Sequence, residues 1–408
     1  MNPVARTFRL RPSRSLRLAT AGGMFLAAVP SLTAPPVVPA TVTATLIADR
    51  PTSTWDRPSP DPSGITYLPA TNQLLISDGE VEETPLYAGT NLFLSSLDGK
   101  QPAGFPGGTS LPWTKEPTGI DYWPATGDVV VTDDDADRVL RFTAGPDGRY
   151  GARDDEVASF ATAAVGSGDP EDATVLTDLM GGSRLFVVEG SGARLYDFTA
   201  GVDDLFDGVP PAGDDTVVVH DVGRYGARDP EGVEYHPGRN TLLVLDGSTE
   251  TVYELDLRGE LLNTVDISAA NPLKAGGIAL APASDGSGEL HLYIVDRGLD
   301  NDFFPHENDG RFYEMSLDLP PLAGRGATDA PAGSPGADLT VLQPDAAAGG
   351  ALPGGELRPP IGVVAPSRSQ VGGPGSVSFA RPEPPAGAGS VEAVAGSGLR
   401  LLQFSSVL

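Results

Sequence analysis

The chain has 408 residues, no cysteine, and 55 acidic against 27 basic side chains, which gives a net charge of −28 at pH 7. The absence of cysteine excludes disulfide bonds, thiol catalysis and thiolate metal ligands. The negative charge lies between residues 41 and 320, which hold 49 acids and 17 bases. Because this excess repels polyanions, we expect neither nucleic acid nor an anionic membrane as a partner, and we expect divalent cations.

The first 40 residues have the composition of a secretory signal peptide and a short linker. Five arginines lie within the first 17 residues, an apolar stretch covers 18–34, and no acid precedes Asp49. A basic start, a short apolar core and small residues at its end are typical of a signal peptide. The alternative, a membrane anchor, needs about 20 apolar residues, more than this stretch provides. We therefore predict removal of this segment and a secreted protein, extracellular or at the cell surface.

A short phrase recurs along the chain. It reads PSGITYLPA from Pro62, PTGIDYWPA from Pro117 and PEGVEYHPG from Pro230, with looser copies from Pro170 and Ala275. Each copy leads into an apolar run that stops at an acid, and successive acids are 55, 56, 57 and 50 residues apart. A steady period of this size, built of short strands, indicates a β-propeller with one sheet per repeat. The five acids are Asp78, Asp133, Glu189, Asp246 and Asp296.

The repeats predict an all-β propeller over residues 41–318 with five four-stranded blades. In the fourth repeat, turn residues separate predicted strands at 232–235, 241–245, 251–257 and 261–267. The fifth repeat lacks a fourth strand, which the isolated segment 43–48 can supply, because an N-terminal strand in the last blade closes the ring.

Residues 319–408 form a low-complexity tail rich in alanine, glycine and proline, which we expect to be disordered. A sixth blade is the alternative for this region. It would need the weakly strand-like segments 338–342, 361–364 and 399–404.

Acids are concentrated at two loops of each repeat. We term the segment that enters the first strand the incoming loop and the segment that leaves the second strand the outgoing loop. Both emerge on one face of a propeller, so their carboxylates crowd one mouth, which is costly unless a hard cation such as Ca²⁺, or Mg²⁺, binds there. The alternative is that each acid holds its own turn. The candidate metal ligands of these loops are Asp78, Asp133, Glu171, Glu189, Glu231, Asp246 and Asp296.

Two outgoing loops are longer than the others, at 78–91 and 296–310. They belong to the first and fifth repeats, which are neighbours in a five-bladed ring. Long loops on a rigid scaffold are usually functional or ordered by metal, and a solvated acidic loop is the alternative. The second loop adds Asp300, Asp302 and Asp309 as candidate Ca²⁺ ligands.

The segments 142–155 and 198–215 echo each other on the opposite face. Their repeated aspartates and glycines are compatible with Ca²⁺ binding or with rigid turns, and we favour turns.

The phrase Pro-Glu-Gly-Val or Pro-Thr-Gly-Ile, followed by a strand that ends in Asp, resembles NHL-type propellers. It also resembles propellers of the SMP-30/gluconolactonase and SdiA-regulated groups. The resemblance implies either a binding module or a metal-dependent lactonase with one divalent ion in the central channel. Glu171, Glu231, Asp246 and Asp296 are placed analogously to ligands of that ion, whereas the family's asparagine ligands have no counterpart here.

Catalytic motifs are scarce: the sequence has no Gly-x-Ser-x-Gly and no His-Glu-x-x-His. We expect a monomeric, calcium-binding module that binds an extracellular ligand or protein, or serves as a scaffold, without being an enzyme. The alternative is a metal-dependent hydrolase of lactones or esters with Glu231 as the base. His306 is the second catalytic candidate, since it is the only histidine in a candidate site loop. A central cation held by carboxylates from different blades would favour the hydrolase.

Overall fold

The computed structural model describes residues 39–102, 108–177, 182–301 and 303–322. The predicted signal peptide, the candidate ligand Asp302 and the predicted tail strands lie outside these residues. None of the described helices is long and apolar enough to span a bilayer.

Five sheets form the blades of a propeller, and each begins with its innermost strand. Two N-terminal strands, β1 (Ala40–Thr43) and β2 (Leu46–Pro51), come before the first blade. Blade 1 contains β3 (Pro62–Leu68), β4 (Gln73–Asp78), β5 (Leu92–Ser96) and β6 (Gly108–Thr109). Blade 2 contains β7 (Ile120–Trp123), β8 (Asp128–Asp133), β9 (Arg138–Phe142) and β10 (Val157–Ala161).

The remaining blades repeat this order. Blade 3 contains β11 (Pro170–Thr177), β12 (Ser183–Glu189), β13 (Arg194–Thr199) and β14 (Thr216–Asp221). Blade 4 contains β15 (Pro230–His236), β16 (Thr241–Asp246), β17 (Thr251–Asp256) and β18 (Leu261–Asp266). Blade 5 contains β19 (Ala275–Pro282), β20 (Leu290–Asp296) and β21 (Arg311–Ser316). The described helices are short 3₁₀ turns at Thr52–Thr54, Val81–Glu83, Thr162–Val165 and Gly223–Tyr225.

The hydrophobic core lies between the faces of neighbouring blades. The second strand of each blade is buried on both faces, as in β16, where all six residues are buried. Its Leu243 and Leu245 pack against Ile278 and Leu292 of blade 5. Ile65 and Ile76 of blade 1 pack against blade 5 from its other side. Continuous apolar strands are expected where sheets cover each other on both faces, and they give every blade two buried interfaces.

The ring is closed by β2, which pairs antiparallel with β21 and thereby completes blade 5. This confirms the predicted N-terminal closure, with the strand placed at 46–51 rather than at 43–48. The preceding strand β1 adds in parallel to β18 and makes blade 4 five-stranded. The sequence did not predict that pairing. Together, the two strands cover the outer edges of blades 4 and 5.

The glycine of the recurring phrase is required by the close approach of the innermost strands. A Cβ on Gly119 would lie 2.4 Å from Asp172 Cα, and one on Gly64 would lie 2.8 Å from Ile120 N. The looser copy of the phrase that begins at Pro170 carries Asp172 instead of glycine. Its buried carboxylate accepts the amides of Ile120 (3.2 Å), Ala173 (2.9 Å) and Val233 (3.0 Å). Asp172 therefore joins the inner strands of blades 2, 3 and 4 below the mouth.

Candidate metal centre at the channel mouth

The incoming and outgoing loops of the five blades surround one end of the channel, which we term the mouth. The incoming loop enters the first strand and the outgoing loop leaves the second strand on this same face, because successive strands of a blade alternate in direction. Besides the acids at the strand ends, the buried and half-buried carboxyl groups of the mouth include Asp61, Glu80, Glu116, Asp134, Asp169, Glu171, Asp229 and Glu231.

Three of the five predicted acids at the strand ends, Asp78, Asp246 and Asp296, join the incoming loop of their blade to its outgoing loop. Asp78 accepts the amides of Asp61 (3.1 Å) and Val81 (2.9 Å). Burial, followed by the charge of Asp61, raises the pKa of Asp78 to about 7. Asp296 accepts the amide of Lys274 (2.9 Å) and the hydroxyl of Tyr313 (2.8 Å). These contacts correspond to the turn-holding alternative for such acids.

The other three strand-end acids differ in how fully they are bonded. Asp246 accepts the amides of Asp229 (3.0 Å) and Thr249 (2.8 Å). Burial opposes ionisation of Asp246, but its amide donors outweigh burial and lower the pKa. Asp133 binds the guanidinium of Arg138 at 2.7 Å. Glu189 has one buried oxygen without a partner among the described residues. Metal binding by these five acids stays a prediction.

Three carboxylates of the mouth converge on one point. Asp134, in the outgoing loop of blade 2, and Asp169 and Glu171, at the start of blade 3, each bring an oxygen within 4.8 Å of the others. Glu171 is 8% exposed, and its Oε2 has no hydrogen-bond partner among the described residues. Burial, with the charges of Glu231, Asp134 and Asp169, raises the pKa of Glu171 well above its usual range. This oxygen-only donor set with one orphaned atom fits a hard divalent cation.

A buried arginine stands on the other side of the mouth. Arg297 donates to Asp61 Oδ1 at 2.5 Å and also pairs with Glu80. Asp61 is fully buried and Arg297 is 6% exposed. Arg297 belongs to the outgoing loop of blade 5 and Glu80 to that of blade 1, so the two long loops contact each other, as expected for neighbouring blades. Arg297 is thus a built-in cation that compensates one sector of the acidic mouth.

Two further carboxyl groups of the mouth have strongly raised pKa values. Burial raises the pKa of Glu231 to about 7, against the opposing charges of Lys274 and Arg297. Burial, with the charges of Asp134 and Asp135, raises the pKa of Glu116 to about 9. Glu231 acts on the charge of Glu171, so it borders the three-carboxylate cluster. A carboxyl group with a pKa near 7 is suited to accept and return a proton at neutral pH.

The loop 296–310 contributes to none of the three groups of converging acids found among the described residues. Asp300 accepts the amide of Phe303 at 3.4 Å, and Asp309 accepts that of Leu299 at 3.2 Å. His306 is exposed. The structure therefore does not bring these predicted residues together with the cluster, and their roles stay predictions.

The other two groups of converging acids lie on the opposite face and are mostly exposed. Their members are Asp147, Asp154 and Asp155 in blade 2, and Asp203, Asp207 and Asp214 in blade 3. In the first group, Asp155 accepts the amides of Gly145 (3.0 Å) and Gly151 (2.9 Å). In the second, Asp214 accepts the amide of Val202 at 3.1 Å. These bonds agree with the favoured interpretation as rigid turns.

The sequence pointed to the mouth but not to all members of its cluster. Glu171 was among the predicted ligands, whereas Asp134 and Asp169 were not, and the ion pairs of Arg297 with Asp61 and Glu80 were not predicted. The run Asp133-Asp134-Asp135 was the available signal. Asp133 ends β8 and accepts the amide of Ala136, whereas Asp134 begins the turn after the strand and joins the cluster.

No family model matches the sequence, and no curated protein is sufficiently similar to count as a match. Solved structures with a similar chain path are propellers. A calcium-binding regucalcin from Agrobacterium tumefaciens has 12% identity and a TM-score of 0.39, with 70% of this chain and 99% of that chain covered. A luciferin-regenerating enzyme has 14% identity and a TM-score of 0.39, with 67% and 95% covered. A streptogramin B lyase has 12% identity and a TM-score of 0.34, with 66% and 87% covered.

This chain is a five-bladed β-propeller. The described strands pair into five sheets, one for each blade.

Proposed function

We propose that the chain is a secreted, monomeric, divalent-cation-binding propeller that acts as an extracellular binding module. Asp134, Asp169 and Glu171 would hold the cation, with Ca²⁺ favoured by an all-oxygen donor set. The observation that carries the proposal is the buried, unpartnered Oε2 of Glu171 beside two further carboxylates. Secretion is supported by the basic and apolar composition of the first 40 residues.

The electrostatics of the mouth favour a cation at this point rather than an empty cluster. Arg297 is already engaged with Asp61 and Glu80, so its charge compensates the cluster only from a distance. The raised pKa of Glu171 means that its ionised form is disfavoured without further compensation. A divalent ion would remove that penalty and would satisfy Oε2, and water would complete the six to eight ligands that Ca²⁺ takes.

A second candidate function, metal-dependent hydrolysis of lactones or other esters, is favoured by one observation. Glu231 borders the cluster with a pKa of about 7, as a general base requires near neutral pH. A cation bound at the cluster would polarise a substrate carbonyl. Glu231 would take the proton from the attacking water, and Lys274 and Arg297 would stabilise its ionised form.

Metal binding is tested by titrating the metal-free protein with Ca²⁺ in a calorimeter. The double variant D134N/E171Q should weaken the tightest site at least about tenfold, since two of its charged ligands become neutral. The matched control is D203N/D214N, which removes two charges from the acidic group on the opposite face. Equal effects of the two double variants, or no binding to the wild-type protein, would contradict the cation site.

Hydrolysis is tested with a panel of lactones and aryl esters in Ca²⁺, Mg²⁺ and EDTA. If the protein is a metal-dependent hydrolase, we expect turnover that EDTA abolishes. The variant E231Q should then lower the rate at least about a hundredfold. The control E289Q makes the same change in an exposed loop on the opposite face and should leave the rate unchanged. Cation binding without turnover of any substrate would favour the binding module.

A further inference from the structure

A cavity of about 550 Å³ opens on the mouth face between blades 1 and 2. Its walls come from the outgoing loops of both blades and from the segment 110–116 that connects them. Cavities of about 300–1,000 Å³ typically hold small organic molecules. A bare metal ion would fill only a small part of this space.

One wall of the cavity is aromatic and held in place by packing. Trp113 lies against Phe142, with ring centroids 5.5 Å apart, and the neighbouring Leu111 is buried. Tyr87 is partly exposed, and its hydroxyl lies 2.8 Å from Ser110 Oγ. The wall therefore presents Trp113, which is held by packing, and Tyr87, which is held by a hydrogen bond at the surface.

The acids of the lining, which we term the acidic wall, outnumber its bases. Four carboxyl groups line the cavity against two basic groups, Lys115 and Arg138. Arg138 is already engaged, because it donates to Asp133 and to the carbonyl of Trp113, both at 2.7 Å. The three remaining acids, Glu82, Glu116 and Asp135, outnumber the one remaining base. Glu116, with a pKa of about 9, is protonated at neutral pH and adds no negative charge there.

We propose that this cavity binds an organic ammonium ion that carries an aromatic or other apolar group. The apolar group would stack on Trp113 and Tyr87, and the ammonium would face the carboxyl groups of Glu116 and Asp135. Aromatic faces attract organic cations, and carboxylates accept hydrogen bonds from an ammonium group. An uncharged ligand would gain no charge attraction from the acidic wall. This inference goes beyond the cation site and does not require it.

The test uses the full chain in EDTA, so that the cation site cannot contribute. Benzylammonium, benzyl alcohol and benzoate share one ring and differ in the charged group. Calorimetry or ligand-observed NMR should show benzylammonium binding at least about tenfold more tightly than benzyl alcohol, and benzoate not binding. Equal affinity for the amine and the alcohol would overturn the proposal.

One substitution in the aromatic wall and one in the acidic wall locate the bound amine. W113A should weaken benzylammonium at least about fivefold, and Y87S supplies the same information if W113A does not fold. D135N removes an exposed charge of the acidic wall and should weaken the amine at least about threefold. The matched control D285N removes an exposed charge on the opposite face and should change nothing. Unchanged affinity in both D135N and a folded aromatic variant would place the amine elsewhere and refute the assignment.

Discussion

Replacing Arg297 by methionine tests whether a built-in cation stabilises the mouth. The substitution keeps an unbranched side chain of similar reach but removes the guanidinium group. Arg297 is 6% exposed and pairs with the fully buried Asp61 and with Glu80, which is 7% exposed. The variant would leave both carboxylates buried without their cation.

Removing one partner of a buried ion pair costs about 3–5 kcal/mol of unfolding free energy, and we expect R297M to fall in this range. The triple variant R297M/D61N/E80Q should recover more than half of the loss, because it leaves no uncompensated charge. Arg311, the first residue of β21 directly after this loop, provides the control. Its pair with Asp49 is partly exposed, with side chains 33% and 43% accessible, so R311M should cost no more than about 1 kcal/mol.

The assay is urea unfolding of the four proteins in EDTA, followed by far-ultraviolet circular dichroism. EDTA is needed because a divalent cation at the mouth would substitute for the missing guanidinium. A loss below about 1 kcal/mol in R297M, or a triple variant no more stable than the single one, would refute the compensating role of Arg297.

Three further predictions concern the packing of the ring, its titration and its closure. G119A should lower the free energy of unfolding by about 2–3 kcal/mol, because its Cβ would lie 2.4 Å from the Asp172 backbone. In G168A the nearest atom to the Cβ is 3.7 Å away, so urea unfolding should give a stability within about 0.5 kcal/mol of wild type. Burial raises the pKa of Asp121 to about 6 and that of Glu231 to about 7, so the folded protein binds these protons more tightly than the unfolded chain. Stability should therefore fall between about pH 4 and pH 7, by up to about 3 kcal/mol for each group, and a urea midpoint in EDTA that is no lower at pH 8 than at pH 5 would contradict this. Deletion through residue 45 removes only β1 and should leave a soluble protein, whereas deletion through residue 51 also removes β2 and should lower the melting temperature sharply; equal melting temperatures would argue against closure by β2.

Most of the fold could be predicted because the sequence of each blade repeats the same pattern of strands and turns. The strands of blade 4 were placed within two residues of their observed ends, since apolar runs and turn residues alternate there without ambiguity. The parallel addition of β1 to β18 was missed. An edge strand has no buried face to fix its partner or register, so a segment such as Ala40–Thr43 carries no pairing information of its own.

The candidate site was predicted less completely, for a reason of geometry. Whether an acid at a strand end holds its turn or faces the channel depends on a shift of one residue, as Asp133 and Asp134 demonstrate. The role of Arg297 depends on two blades that are distant in sequence and adjacent in the ring. Such a contact depends on both ring closure and the conformation of the loops, so no local sequence pattern predicts it.

The closing strand β2 has a consequence for the order in which the protein folds. Arg50 of β2 lies beside Glu314 of β21, which is 264 residues further along the chain. During synthesis the strand that seals the ring is made before any blade, and it stays unpaired until the last blade strand has been made. The final step is thus a long-range pairing, which is slow, and it exposes an unfinished edge in the meantime. Asp49 and Arg50 place charges on the unpaired strand β2, and these charges disfavour its pairing with other chains.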